Sequence, residues 1–331
     1  MRNAVVVAAD RNIFPAAMFL CDRLRRLGPP PDTDIILASD SIADIEIARA
    51  AAGAPALLAI GAEIVDRQFP LNRHFTKAAY YNMFMPEILA DKYGRVLLLD
   101  VDVYAHNRKI FDLFDVDMGQ YAVGAVRETF VAHARDLEIA KELKQTLVGG
   151  IAGKYLNSGV LLVDVPKFHK QRLEERFLAV VGSHPTLAYL DQSALNIALK
   201  GDWLELSPSF NLQGSAWNSF IREICEPVIV HFVGETKPWH GPRFVEDHPF
   251  RLELERYIAN SLWKGFLARF WTFQDAWRAR SEPAPTRRRF TNNPVEIGRI
   301  VNYLHETEFA DVKQGLTTLN FDEPRRAQPP R

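Results

Sequence analysis

Short aliphatic runs recur along this chain between amphipathic stretches, at residues 4–9, 34–38, 95–99, 121–126, 160–165 and 227–232. Unbroken apolar runs of this length suit strands covered on both faces, because a strand with one wet face alternates instead. The segments 15–27, 42–52, 77–89, 166–181 and 191–199 carry helical spacing, and Gly28-Pro29-Pro30-Pro31 ends the first of them. The order predicts an α/β protein of doubly wound type, with ligands beyond the carboxyl ends of its strands.

A chain of 331 residues accommodates one large domain with an extension. The boundary is expected near 250, giving a catalytic domain at 1–250 and a partly helical extension at 251–331. Beyond that point Trp263, Phe266, Phe270, Trp271, Phe273 and Trp277 interleave with Arg and Lys, followed by Pro283, Pro285 and Arg287, Arg288 and Arg289. A polar tail closes the chain, and its last ten residues are expected to be mobile.

With 40 basic and 41 acidic residues the formal charge is −1, so no global field selects for nucleic acid. Cys21 and Cys225 lack the spacing of a zinc site and read as reduced core residues. The apolar start is cut short by Asp10 and Arg11 and reads as a buried strand rather than a leader. No uncharged stretch reaches the roughly 20 residues of a spanning helix, so a cytoplasmic protein is expected.

The segment YGRVLLLDVDVY ends a buried strand in two carboxylates. In extended chain, residues i and i+2 face the same side. Asp100 and Asp102 can therefore share a hard cation that keeps positions open for phosphate oxygens; a solvated turn is the alternative. In PVIVHFVGETKPWH a strand delivers His231, whose imidazole suits Mn²⁺ better than Mg²⁺. Gly234 permits close backbone approach to an anion and Lys237 offers a point charge. A histidine at a strand end is also a common structural residue.

The four segments LLLDVDVY, YLNSGVLLVDV, YLDQSALNIAL and HFVGETKPWH, in this order, resemble the family 8 retaining glycosyltransferases, typified by bacterial lipopolysaccharide galactosyl- and glucosyltransferases and by glycogenin. The likeness covers about residues 4–240. It implies a GT-A fold, a Rossmann-like mixed sheet flanked by helices with a helical C-terminal extension. It implies a hexosyl transfer from a UDP-sugar to a glycan or lipid-linked acceptor, with Mn²⁺ as cofactor and Mg²⁺ as the alternative.

The resemblance assigns Asp100, Asp102 and His231 to the metal, and Lys237 with the Gly234 amide to the diphosphate. It places Ala8, Asp10 and Asn12 at uracil and ribose, Asn157 at the sugar or acceptor, and Asp191 with Gln192 beside the anomeric carbon. Asp191 also reads as a helix N-cap. Two positions depart from the pattern: Asn82 stands where many relatives carry Arg, and Glu128 where an Asp is familiar.

A phosphatase of the haloacid dehalogenase type is a competing reading, opposed by Tyr104 and by the absence of a later Gly-Asp-x-x-x-Asp. A nucleotide-sugar-binding protein without turnover is another. Residues 261–290 could lie on an anionic membrane at the inner face, or pack their aromatics on the catalytic domain.

Overall fold

The computed structural model describes residues 1–41, 55–71, 77–128, 155–184, 187, 189–213, 227–233, 237–240 and 249–269. The expected helix 42–52, Gly234, Cys225 and everything after Arg269 lie outside the described residues.

The main sheet has seven strands: β1 (Arg2–Ala9), β2 (Thr33–Ser39), β3 (Ala56–Ala59), β4 (Tyr93–Leu99), β6 (Val123–Arg127), β7 (Leu156–Asp164) and β8 (Leu204–Glu205), in the order β3-β2-β1-β4-β7-β6-β8. Neighbours pair in parallel except at β7, which runs against both β4 and β6. The sheet is thus mixed but mostly parallel.

The aliphatic runs are explained by burial on both faces. Val5, Val7 and Ala9 enter one core while Ala4, Val6 and Ala8 enter the other. Leu97 and Leu99 divide from Val96 and Leu98 in the same way. On the first face lies α1 (Phe14–Arg26), opened by Pro15 and ending in Arg23, Arg25 and Arg26, whose charges suit the negative end of a helix. Its Phe14, Phe19, Leu20 and Leu24 are buried, and Gly28 at φ +71° turns the chain out of it.

The opposite face is covered by α2 (Val165–Lys170), α3 (Leu173–Ser183) and α4 (Leu190–Leu199). A single helix over 166–181 is not formed, because Arg172 takes the left-handed conformation at φ +52° and splits it. The expected helix 77–89 also breaks, into turns at Ala78–Tyr81, Asn82–Phe84 and Met85–Ile88. Pro86 has no N–H to give and crowds the carbonyl four residues back.

A second, three-stranded sheet joins β5 (Val103–Ala105), β10 (Ile229–His231) and β9 (Leu212–Gln213), with β10 antiparallel to β5. Helix α5 (Pro249–Ala259) packs Phe250, Leu254 and Ile258 into the same core as α1. Trp263 meets Phe14 edge-on at 5.9 Å and Phe266 is buried, so these two extension aromatics pack on the domain. No helix among the described residues is long and apolar enough to cross a membrane.

Candidate metal centre and donor site

Strand registers bring the site together. β1 pairs with β4 through Val7 and Leu99, and with β2 through Ala9 and Ser39, so Asp10, Asp40 and Asp100 follow three neighbouring carboxyl ends. Because β7 is reversed, it presents its beginning here: Leu99 pairs with Val160, and the Asp100 amide donates to the Gly159 carbonyl at 2.9 Å. Asn157 and Ser158 therefore reach the site from a strand start.

The chain turns directly after β4, with Val103 N–H reaching the Asp100 carbonyl at 3.4 Å. This turn, rather than extended i, i+2 geometry, brings Asp100 and Asp102 together. β5 then pairs Val103 with His231, and Phe232 N–H donates to the Asp102 carbonyl at 3.0 Å. Asp100, Asp102 and His231 each offer a ligand atom within 4.8 Å of the others. His231 Nε2 stands 3.3 Å from Asp102 Oδ1 and 3.9 Å from Asp100 Oδ2.

The electrostatics separate the two carboxyls. Burial and the Asp102 charge push Asp100 above its ordinary range, although 38% of its side chain faces solvent and screens part of that push. Burial acts the same way on Asp102, but Lys237 and His231 outweigh it and hold Asp102 below the carboxylate range. For His231 burial favours the neutral ring, and the two aspartates more than offset it, so the ring is raised. Two carboxylates and an imidazole make a donor set that fits a hard or borderline divalent cation.

Lys237 Nζ donates to Asp102 and, at 3.1 Å, to the Phe232 carbonyl. The Asn82 amide donates to Asp100 Oδ1 at 3.2 Å, while Asn82 Oδ1 is buried without a hydrogen-bond partner. Asn82 thus serves as a neutral donor to a site carboxylate.

Ala8 is buried at the end of β1, and Asp10 accepts the Asn12 N–H at 2.9 Å, fixing the turn after the strand. Tyr81 donates its hydroxyl to Asp40 at 2.7 Å, and its phenol is pushed up by burial, then by Asp40 and Asp10. The Asp10–Asn12 turn and the Asp100 pair lie on adjacent strand ends.

Asp191 is not a helix cap. The cap of α4 is Tyr189, with no side-chain bond to the helix, and Asp191 stands in the first turn behind Leu190, whose φ of +39° is left-handed. Burial, then the Asp100 charge, pushes Asp191 up to about 8 against bonds from Ser158 and the backbone. Gln192 accepts from Ser158 N–H at 3.1 Å and donates to Glu128 at 3.2 Å. Glu128 also takes the Asn157 amide at 2.8 Å, so Glu128, Asn157 and Gln192 form one buried network.

Two residues of this network escape the sequence reading. Asn211 ends the Pro208–Asn211 turn, fully buried, and no motif of the sequence marks it among its neighbours Ser207, Ser209 and Gln213. Gly159 leaves the space in which His231 lies: a Cβ there would come within 2.1 Å of its Cε1. A glycine inside a strand is a legible sign of such close approach.

The sequence model described as Glycosyl transferase family 8 matches residues 40–242. The chain belongs to this family. General stress protein A of Bacillus subtilis (strain 168) is 33% identical over 208 residues, covering 57% of this chain and 68% of that protein. Lipopolysaccharide 1,3-galactosyltransferase of Salmonella typhimurium is 28% identical over 183 residues, 53% of each. Family 8 membership extends to the fold. An active-site mutant of LgtC superposes with a TM-score of 0.62 at 22% identity, covering 83% of this chain and 99% of that one. The bifunctional glycosyltransferase WbbM gives 0.64 at 18%, covering 81% and 51%. The GT-A fold expected from the four motifs is the fold observed.

Proposed function

We propose that this family 8 glycosyltransferase is a metal-dependent retaining hexosyltransferase that uses a UDP-sugar and acts on a glycan or lipid-linked acceptor. The observation that carries the reading is the convergence of Asp100, Asp102 and His231 on one point beside the Asp10–Asn12 turn. Asp100, Asp102 and His231 would hold the cation, with Mn²⁺ favoured over Mg²⁺ by the imidazole. When bound, the cation supplies charge compensation for the departing diphosphate. Support also comes from LgtC, a galactosyltransferase solved with donor and acceptor sugar analogs.

Ala8, Asp10 and Asn12 are assigned to uracil and ribose. Lys237 and the Gly234 amide are assigned to the diphosphate, for which Lys237 must leave Asp102. Asn157, Asp191 and Gln192 are assigned to the sugar. In the transfer step the acceptor oxygen bonds to the anomeric carbon, the bond from that carbon to the diphosphate oxygen breaks, and its electron pair leaves with UDP. The acceptor proton passes to a donor phosphate oxygen on the same face. Burial and the Asp100 charge both disfavour a charged Asp191, the form a glycosyl-enzyme route would need as nucleophile.

Residues 1–250 are read as the catalytic domain and 251–331 as its extension. Leu262, 69% exposed beside Lys264 and Arg269, supports a peripheral contact of residues 261–290 with the inner face of a membrane. The test of the function is slow hydrolysis of a panel of nucleotide sugars with and without Mn²⁺, which needs no acceptor. Release of UDP from one UDP-hexose is the expected result. Phosphate release from simple phosphomonoesters instead would point to the phosphatase reading.

A further inference from the structure

We propose that Asn211 is the positioning residue that sets the tautomer of His231 and aims its Nε2 at the carboxylate pair. His231 Nδ1 lies 3.1 Å from both Asn157 Oδ1 and Asn211 Oδ1. Two carbonyl-type oxygens at one ring nitrogen require that nitrogen to carry the proton. Nε2 is then the nitrogen left to face Asp102 and Asp100, as a ligand to a cation held between them or, without one, as an N–H beside Asp102.

The two amides are not equivalent. Asn157 Oδ1 already accepts the Gly159 N–H at 3.0 Å and the Asn211 amide at 2.8 Å, while Asn157 Nδ2 is given to Glu128. An sp² oxygen with two donors has used its two lone pairs. Asn211 spends its Nδ2 on Asn157 and thereby turns its own Oδ1 to the ring, as the acceptor with capacity left. Asn157 orients Asn211, and Asn211 orients the histidine.

The ring has no other place to stand. A Cβ on Gly159 would lie 2.1 Å from Cε1, 2.5 Å from Nδ1 and 2.9 Å from Nε2 of His231. The Gly159 backbone lies against one side of the ring, and Asn211 Oδ1 against Nδ1. Asn211 is wholly buried and on neither carboxylate; it reaches the metal ligands through His231, and its other contact is Asn157.

The proposal rests in part on the metal reading, and its test separates the two. In the full-length chain, long-range ¹H–¹⁵N spectra of the imidazoles, with His231 assigned through His231→Gln, should show the ring carrying a proton on Nδ1. Mn²⁺ binding without donor, followed by the EPR of free Mn²⁺, should weaken roughly ten- to hundredfold in Asn211→Leu. It should recover only in part in Asn211→Asp, which keeps an oxygen at Nδ1 but loses the amide given to Asn157. An Nδ1 without a proton in the wild-type ring, or Mn²⁺ affinity within twofold of wild type in folded Asn211→Leu, would overturn the proposal. If Asn211→Leu does not fold, or if wild type binds no Mn²⁺ and the metal reading fails, the wild-type tautomer decides alone.

Discussion

Single residues at this site act through charges that have few other partners. Asp102 is the most buried of the two carboxylates and touches both His231 and Lys237. Asp102→Asn keeps the volume and removes the charge. It should abolish donor hydrolysis in a protein that still folds, with a lowered thermal midpoint because Lys237 and His231 lose their counter-charge, and a wild-type rate would remove Asp102 from the metal site. Lys237→Ala should weaken UDP and UDP-sugar binding together by roughly ten- to hundredfold, the loss of a charge-assisted contact of about 1.5–3 kcal/mol. Calorimetry should find Mn²⁺ binding preserved or tighter, because Asp102 no longer has an ammonium to give up. The sequence made these residues legible because strand ends of an α/β sheet carry the chemistry. It did not reveal Asn211, since a buried amide at the end of a short turn has no periodic signature and owes its partners to strands β7 and β10.

At the scale of elements, the six aliphatic runs each became a strand; in the five of the main sheet alternate residues face two separate cores, while the run 227–232 enters one core from the second sheet. The direction of β7 was not legible: a run buried on both faces reads the same either way, and its reversal is what places Asn157 at the site rather than at the far edge. Helix breaks were partly legible, since Pro86 announces one, whereas the left-handed Arg172 carries no such mark. The base of the sheet holds a second charge cluster. Asp34 accepts from Arg2 at 2.5 Å and from Tyr93 at 2.7 Å and lies 3.2 Å from Lys92, and the Arg2 bond leads in lowering its pKa to about 2. A carboxyl lowered in the fold from an ordinary 3.8 stabilises it above that value. The contribution is lost as pH falls from about 4 to about 2. With a quarter of the side chain exposed, solvent screening leaves about 1 kcal/mol. Asp34→Asn should lose that much in denaturant titrations at pH 7 and only a small part of it at pH 2, where the carboxyl is about half protonated in the fold. An equal loss at both would mean that packing, not charge, holds Asp34.

For the whole molecule, every residue assigned to the donor lies between Ala8 and Lys237, and the extension enters the core through Phe250, Leu254, Ile258 and Phe266. Deleting 281–331 should therefore spare donor hydrolysis and reduce transfer to a lipid-linked acceptor. Arg287, Arg288 and Arg289 would each contribute about 1 kcal/mol of attraction to anionic headgroups. Loss of hydrolysis on deletion would show that the tail completes the catalytic domain. The central claim, that Asp100, Asp102 and His231 bind the cation through which a nucleotide sugar is held and cleaved, has one direct test. Hydrolysis of the best UDP-sugar is followed while the metal is removed with excess EDTA and restored with Mn²⁺. The account predicts loss of turnover in EDTA, recovery with Mn²⁺ in the wild type and no recovery in Asp102→Asn. Full turnover in EDTA would contradict it.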